Sequence, residues 1–197
     1  MLGRPRSFDR EAALNCAMLV FWKHGYEATS IALLTKAMGI GAPSLYAAFG
    51  DKRALFDEAL GYYAKTYGAF IVQTLSEETD ARRAVERLLR EAAVEFSSRA
   101  HPPGCLVVSA ATNCSPQSAG VAKLLRSFRA HTVRTLEEKI ERARLAGHLP
   151  HDVNSRALAL FYSSTIQGMS AQARDGATRE ELQAIAEAAL RAWPGPR

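Results

Sequence analysis

Residues 29–52, TSIALLTKAMGIGAPSLYAAFGDK, are the stretch that decides the fold. Thr29 or Ser30 can cap a first short helix, because a hydroxyl there accepts hydrogen bonds from the free amides of the first turn. Gly39 is expected to end this helix, since glycine adopts the left-handed conformation at little cost. Pro43 then opens a second helix at a position where its missing N–H does no harm. Two short helices around a tight turn, with small outward side chains, are typical of a helix-turn-helix that lays its second helix in the DNA major groove.

The same spacing is also compatible with an ordinary helical hairpin in a bundle, because glycine turns between helices are common. The residues after the turn favour the DNA-binding interpretation. Asp51 is a good cap for a third helix, and Lys52 lies in its first turn beside free amide groups. A lysine there is slightly unfavourable for the helix unless an anion such as a DNA phosphate occupies the site.

Length and composition bound the class of protein. The chain has 197 residues, of which 48% are hydrophobic and 23% charged, as is typical of a soluble globular protein. No apolar run approaches the roughly 20 residues that span a bilayer. The N-terminal MLGRPRSFDREAAL lacks the apolar core of a signal peptide, so we expect a cytoplasmic protein. The net charge of +5 permits an anionic partner without demanding one.

Apolar residues recur with helical spacing in nearly every segment, and no alternating run indicates a strand. The fold class is therefore predicted to be all-α, with about nine helices. The expected helices are residues 9–24 (ended by Gly25), the two of the opening stretch, 51–75, 80–98, 105–113, 115–146, 154–174 and 178–193.

A family resemblance is carried by residues 9–60. FxxHGYEATSI and LLTKAMGIGAPSLYAAFGDKRALFDEAL closely resemble the DNA-binding region of TetR/AcrR transcriptional regulators. The resemblance implies a homodimeric repressor with a three-helix helix-turn-helix DNA-binding domain at residues 1–50. It also implies a helical effector-binding and dimerisation domain at residues 51–197. The shared framework consists of Gly39, Ile40, Ser44, Leu45, Tyr46, Phe49, Lys52 and Leu55.

The resemblance implies that Tyr46 and Lys52 grip phosphates while residues around 42–47 enter the groove. The exposed positions of this second helix carry no Arg, Lys, Asn or Gln to contact a base through two hydrogen bonds. We therefore expect sequence selection from thymine methyl contacts, from Ser44 and Tyr46, and from DNA shape. The N-terminal arginines fit an arm in the minor groove, and equally a solvated terminus. The candidate DNA-binding residues are Arg4, Arg6, Thr29, Ser30, Lys36, Ala42, Pro43, Ser44, Tyr46, Ala47 and Lys52.

Regulators of this kind usually have an effector cavity in the C-terminal domain. For each candidate ligand-binding residue taken singly, ordinary packing in the core is favoured over ligand binding, because aromatic stripes on helices usually pack. As a set the candidates suggest an apolar cavity with few polar anchors, which fits a hydrophobic small molecule. The candidate ligand-binding residues are Phe70, Phe96, Cys105, Val108, Asn113, Phe128, Phe161, Tyr162 and Gln167.

The last two helices are poor in charge on more than one side, and such a helix needs two packing partners. The resemblance implies that the second partner is another subunit, in a four-helix dimer interface. Dimerisation would place two recognition helices about one turn of DNA apart (roughly 34–36 Å) or somewhat more, so the operator should be near-palindromic. The candidate interface residues are Ser164, Gly168, Ala171, Ile185, Ala189 and Trp193.

The sequence provides little support for a metal site, a reactive cysteine or a catalytic site. His101, Cys105 and Cys114 match no zinc spacing, and the apolar neighbours of Cys105 would raise its pKa rather than make it a reactive thiolate. No phosphate loop or nucleophile elbow occurs, so we predict no metal, cofactor or catalytic residue. A helical-bundle enzyme with a substrate pocket is the alternative class.

The expected mechanism of regulation is a population shift in which ligand displaces the helix starting at Asp51. Repression is favoured, and activation is left open.

Overall fold

The computed structural model describes residues 8–110 and 115–195. Within these ranges the chain forms ten α-helices, one turn of 3₁₀ helix at Pro116–Ser118 and no strand, which confirms the all-α prediction. The helices are α1 (Arg10–Ala28), α2 (Ile31–Met38), α3 (Ala42–Phe49), α4 (Lys52–Lys65), α5 (Ala69–Glu77), α6 (Ala81–Phe96), α7 (Leu106–Ser109), α8 (Ala119–Leu145), α9 (Ser155–Arg174) and α10 (Arg179–Leu190).

Local sequence signals set the ends of the first helices. Gly25, with φ of 74°, interrupts the helical backbone of α1 just after the predicted end at residue 24. Ser30 caps α2, because its Oγ accepts from the N–H of Leu33 at 3.1 Å. Gly39 ends α2 in the left-handed conformation, with φ of 65°. These signals act within a few residues, which is why they could be recognised in the sequence.

The single helix predicted for residues 51–75 is wrong, because the chain forms α4 and α5 with a break at residues 66–68. Thr66 leaves the helical conformation, with φ of −114° and ψ of −96°. At Gly68 a Cβ atom would lie 2.8 Å from Cε1 of Tyr63, so the tyrosine ring packs directly on the glycine backbone. The break therefore coincides with a tertiary contact, which the helical periodicity of the sequence cannot reveal.

The remaining helices form one bundle with the first four. α8 packs along α9, α6 packs against α10, and α1 packs against α2, α4 and α7. The helix expected at residues 105–113 is shorter, since α7 ends at Ser109. The helix expected from residue 115 begins at Ala119 after the 3₁₀ turn, and α10 ends at Leu190 rather than beside Pro194. The division of domains at residue 50 falls in the turn between α3 and α4 and stays a prediction.

A capping box formed by Thr178 and Glu181 opens the last helix. The Oγ1 atom of Thr178 accepts from the N–H of Glu181 at 3.2 Å, and the Glu181 carboxylate accepts from the N–H of Thr178 at 2.7 Å. In the two described ranges no single helix has both the length and the apolar composition to cross a bilayer. The pair α2 and α3 passes on those two criteria together, with a bend of 91° between them.

Candidate DNA interface and effector cavity

Helix α3 presents a small, mostly uncharged surface to solvent. Leu45 and Phe49 hold the opposite side in the core, with exposed fractions of 0% and 3%. Tyr46 is 48% exposed and is the largest side chain on the outer face. Pro43 and Ala47 are exposed beside it, and Ala42 and Ser44 are half-buried. The side chains predicted to enter the groove therefore share one accessible side of α3.

Arg10 fixes the C-terminal end of α3 against its neighbours. Its Nη2 atom lies 2.6 Å from Oε2 of Glu58 on α4 and donates to the carbonyl of Ala48 at 3.3 Å. Its guanidinium carbon lies 4.4 Å from the centroid of the Phe49 ring. One side chain of α1 thus joins the recognition helix to α4 by an ion pair, a hydrogen bond and a cation–π contact. Arg10 has no recognisable signal in the sequence, because its partners are 38 and 48 residues away.

The remaining DNA candidates divide into three groups. Ser30 and Lys36 are exposed on α2 and its cap, as the prediction requires. Thr29 does not fit the prediction, because it is fully buried and its hydroxyl donates to the carbonyl of Gly25 at 2.6 Å. Its role is to close the turn between α1 and α2. Arg4 and Arg6 lie outside the described residues.

Lys52, at the start of α4, packs over the ring of Tyr26 on α1. Its Nζ atom lies 4.4 Å from the centroid of Tyr26, and the residue is half-buried. Partial burial lowers the pKa of Lys52, and the nearby Glu27 carboxylate partly opposes this shift. The ammonium group is therefore held beside the first turn of α4, where an anion would also meet free backbone amides.

Helices α1, α2 and α3 together are called the DNA-binding unit. Two sets of contacts tie this unit to the helices that follow. Hydrogen bonds from Ser118 and Ser115 lower the pKa of Glu27 to about 2. The N–H of Ser115 donates to Oε1 of Glu27 at 2.8 Å. The second set surrounds Trp22, which is 1% exposed and contacts the edge of the Tyr63 ring at a centroid distance of 4.9 Å.

A cavity of about 150 Å³ lies between α4, α5, α7, α8 and α9. Its wall is mainly apolar, with a few hydroxyl, amide, thiol, imidazole and guanidinium groups, which suits a small ligand with limited polar character. Gln167 donates to Oγ of Ser163 at 3.2 Å, so these two polar groups are already paired within the wall. The lining residues are Tyr63, Ala64, Gly68, Ile71, Val72, Cys105, Val107, Val108, Phe128, Arg129, His131, Thr132, Ser163, Ile166 and Gln167.

Four of the predicted ligand residues lie in this wall and four do not. Cys105, Val108, Phe128 and Gln167 line the cavity. The others that the structure describes, Phe70, Phe96, Phe161 and Tyr162, are not among its lining residues, and Asn113 lies outside the described residues.

Packing explains why those aromatic side chains miss the cavity. Phe96 is fully buried and meets the edge of the Phe70 ring at a centroid distance of 6.1 Å. The Tyr162 hydroxyl donates to the carbonyl of Ala189 at 3.4 Å, and burial raises the pKa of Tyr162 to about 12. Phe161 faces outward and is 42% exposed. The alternative of ordinary core packing therefore holds for Phe96 and Tyr162.

Tyr63 is the residue that joins the cavity to the DNA-binding unit. Its hydroxyl donates to Sγ of Cys105 at 3.3 Å inside the cavity wall. Its ring contacts Trp22 on α1, as described above. Burial raises the pKa of the Cys105 thiol, so the uncharged form is favoured at neutral pH. Among the residues that the structure describes, no group of three or more His, Cys, Asp or Glu is placed to hold a metal ion.

An uncharged face of α9 and α10 remains uncovered in the single chain. Ser164, Gly168 and Ala171 are exposed along α9 as predicted. Leu160 and Phe161 extend this face, with exposed fractions of 44% and 42%. Ile185 on α10 and Trp193, which lies after the end of that helix, are half-buried. Ala189 does not fit the predicted interface, because it is buried within the chain.

An exposed helix-turn-helix that is tied through α4 to a helical unit with its own cavity defines a DNA-binding transcriptional regulator. The family model for bacterial regulatory proteins of the tetR family matches residues 13–59. The model for the tetracyclin repressor-like C-terminal domain matches residues 81–189. The chain belongs to the TetR family, and the predicted resemblance is confirmed.

Curated relatives and solved structures agree with this assignment. The chain is 41% identical to the HTH-type transcriptional repressor ComR of Escherichia coli over 98% of this chain and 92% of that protein. It is 32% identical to the HTH-type transcriptional repressor BdcR of Escherichia coli over 93% of this chain and 88% of that protein. A cysteine-substituted form of the TetR-family regulator CifR, complexed with 26-base-pair operator DNA, is 46% identical with a TM-score of 0.92, over 98% of this chain and all of that chain.

Proposed function

We propose that this chain is a homodimeric repressor that leaves its operator when a small, mainly apolar effector fills the cavity. The observation that carries the proposal is the position of α4, which begins at Lys52 beside the recognition helix and lines the cavity with Tyr63. A ligand that displaces α4 would move the DNA-binding unit and change the spacing of the two recognition helices. Operator DNA lies in the cytoplasm, where we place the protein.

The cavity suggests the chemical class of the effector. Among the described residues that line the cavity, none carries a carboxylate, and the Arg129 guanidinium donates to the carbonyl of Val107 at 3.1 Å. A small uncharged molecule that buries apolar surface against Phe128 and Ile166 fits this wall best. No catalytic role is proposed for the cavity.

Homodimerisation is supported by the uncharged face of α9 and α10. Gly168 has no atom within 4 Å of the position that a Cβ would occupy, which leaves room for a second helix to approach closely. Burying Leu160 and Phe161 in this interface would remove exposed apolar surface from water. The relatives ComR and BdcR carry the word repressor in their names, which favours repression over activation.

DNA binding is tested with a labelled duplex from the region upstream of the gene for this chain. We expect saturable binding whose affinity falls steeply with salt, because the contacts are mainly to phosphates. A scrambled duplex of the same composition is the control. Equal affinity for both duplexes would contradict the proposal and favour a non-regulatory function, including the enzyme alternative.

Effector release is tested with a panel of small uncharged apolar compounds. We expect at least one compound to lower operator affinity, and saturating operator to weaken binding of that compound by the same factor. Val108→Phe should fill the cavity and abolish the response while operator binding remains. The matched control is Val94→Phe, at a valine that is 43% exposed and does not line the cavity. Compound affinity that does not change with operator would contradict the mechanism.

A further inference from the structure

His101 lies in the loop between α6 and α7 and reaches across to the DNA-binding unit. Its ring stacks on Trp22 of α1, with centroids 4.4 Å apart and planes 19° apart. Tyr67, between α4 and α5, meets the same ring edge-on at 4.9 Å. The His101 side chain is 2% exposed, while Tyr67 beside it is half-buried. The contact therefore joins α1 to the loop that leads into the cavity wall at Cys105.

Both ring nitrogens of His101 face hydrogen-bond acceptors. Nδ1 lies 2.9 Å from the carbonyl oxygen of Pro102, and Nε2 lies 3.1 Å from Oε1 of Glu95. A carbonyl and a carboxylate can only accept, and a neutral imidazole has one N–H to donate. Nε2 and Oε1 are also buried and have no other hydrogen-bond partner among the described residues. This geometry is satisfied when an additional proton lies between the imidazole and the carboxylate.

Among the residues that the structure describes, Glu95 is the carboxylate that contacts the ring. Burial raises the pKa of Tyr63 and of Cys105, so both are uncharged at neutral pH. Burial also disfavours the imidazolium, but the hydrogen bonds to Glu95 and Pro102 outweigh it, and the pKa of His101 is raised above its usual value. Among the described residues, the titratable side chains that contact the ring are Glu95 and Tyr67. Tyr63 contacts Trp22 rather than His101, and Cys105 is hydrogen-bonded to Tyr63.

We propose that His101 is a positioning residue whose protonated ring holds Trp22, and with it the DNA-binding unit, in the orientation that binds operator. When the proton is lost, one ring nitrogen, Nε2 or Nδ1 according to the tautomer, turns a lone pair toward the acceptor beside it, and the repulsion favours withdrawal of the ring from Trp22. The raised pKa means that this stabilisation is fully present below the usual histidine pKa and is lost as the pH rises through the folded-state value. Operator affinity should therefore fall as the medium becomes alkaline.

This inference rests on the proposed function, because it concerns how operator binding is regulated. The Trp22 ring stacks on His101 and packs in a T-shaped arrangement against the ring of the cavity residue Tyr63. Proton and effector therefore act on the same indole. A unit pKa difference between the operator-bound and free protein would give up to about a ten-fold change in operator affinity.

The stack can be tested first without DNA, through tryptophan fluorescence of the full chain between about pH 6 and about pH 9. A stacked imidazolium quenches indole emission, so we expect emission to rise as the pH is raised. The transition should be absent in Trp22→Phe and His101→Gln, and unchanged in the control His148→Gln, which alters an exposed histidine. A transition that persists in His101→Gln would overturn the inference.

The second part of the test measures operator binding and uses Glu95→Gln as a further variant. Its amide can donate to a neutral Nε2, so the contact should persist without the extra proton. We expect wild-type affinity for the upstream duplex to fall about three- to ten-fold between about pH 6 and about pH 8.5, while Glu95→Gln keeps its low-pH affinity. The control His148→Gln should behave like the wild type.

The two possible failures are distinguishable. No saturable binding at either pH overturns the proposed function. Normal binding with the same pH dependence in His101→Gln and Glu95→Gln overturns this inference alone and leaves the repressor intact.

Discussion

Gly104→Ala should destabilise the protein far more than an ordinary glycine substitution. Gly104 lies in the loop before α7 with φ of +79°, and its N–H donates to the carbonyl of Phe96 at 3.0 Å. A Cβ there would lie 2.6 Å from the carbonyl oxygen and 2.8 Å from Oγ of Ser170 on α9. The added methyl group therefore meets both a left-handed backbone and the backbone of a packed helix.

The magnitude follows from these two effects. The left-handed conformation costs an alanine about 1–2 kcal/mol. Relieving the overlap requires α9 or the loop to move, which adds about 1–3 kcal/mol, as for overpacking in a core. Gly147→Ala is the matched control, because Gly147 has φ of +78° and no atom within 4 Å of its Cβ position. Only the conformational cost, about 1–2 kcal/mol, should apply there.

Urea unfolding at a fixed protein concentration measures the difference, since the stability of the proposed dimer would depend on concentration. We expect Gly104→Ala to lose about 1–3 kcal/mol more free energy of unfolding than Gly147→Ala. Equal losses in the two variants would refute the reasoning, because they would show that the contact with Ser170 is relieved without cost.

Three further outcomes follow from the interface residues and the surface charges. Tyr46→Phe should weaken operator binding about three- to ten-fold, the loss of one phosphate hydrogen bond, and leave the unfolding midpoint unchanged; anisotropy titration and melting curves check both. Gly168→Glu should yield a folded monomer in sedimentation velocity, because the position is open within the chain, and a dimeric mass would contradict the proposed interface. Hydrogen bonds from Arg144 and Ser155 lower the pKa of Glu141 to about 2. The stability from this carboxylate is present above its usual pKa and is lost as the pH falls toward about 2, so the wild type should lose stability on acidification more steeply than Glu141→Gln, and parallel pH curves would refute it.

Much of the fold could be predicted because its signals are local. The Ser30 cap, the Gly25 and Gly39 stops and the Thr178 capping box each depend on residues within one helical turn. The position of the break between α4 and α5 could not be predicted, because Gly61 and Gly68 are equally possible bending points in the sequence. Only Gly68 has the Tyr63 ring packed on its backbone, while Gly61 has no atom within 4 Å of its Cβ position.

The cavity was predictable only in part, for a related reason. Helical spacing places Phe96 and Phe128 each on an apolar face, but it does not say what that face meets. Phe128 meets the cavity, whereas Phe96 meets Phe70. Tyr63 carried no signal of its own, because its role depends on Cys105 and Trp22, which are 42 and 41 residues away in the chain.

The anchoring of α3 by Arg10 has a consequence for altering operator preference. The eight-residue helix has no side-chain cap at Gly41, so its shape depends on buried Leu45 and Phe49 and on the grip of Arg10. None of these groups lies on the outer face of α3 that is proposed to meet DNA. The outer positions can therefore be exchanged as a set, and the regulator could be directed to a new promoter while its scaffold and the proposed effector response stay the same.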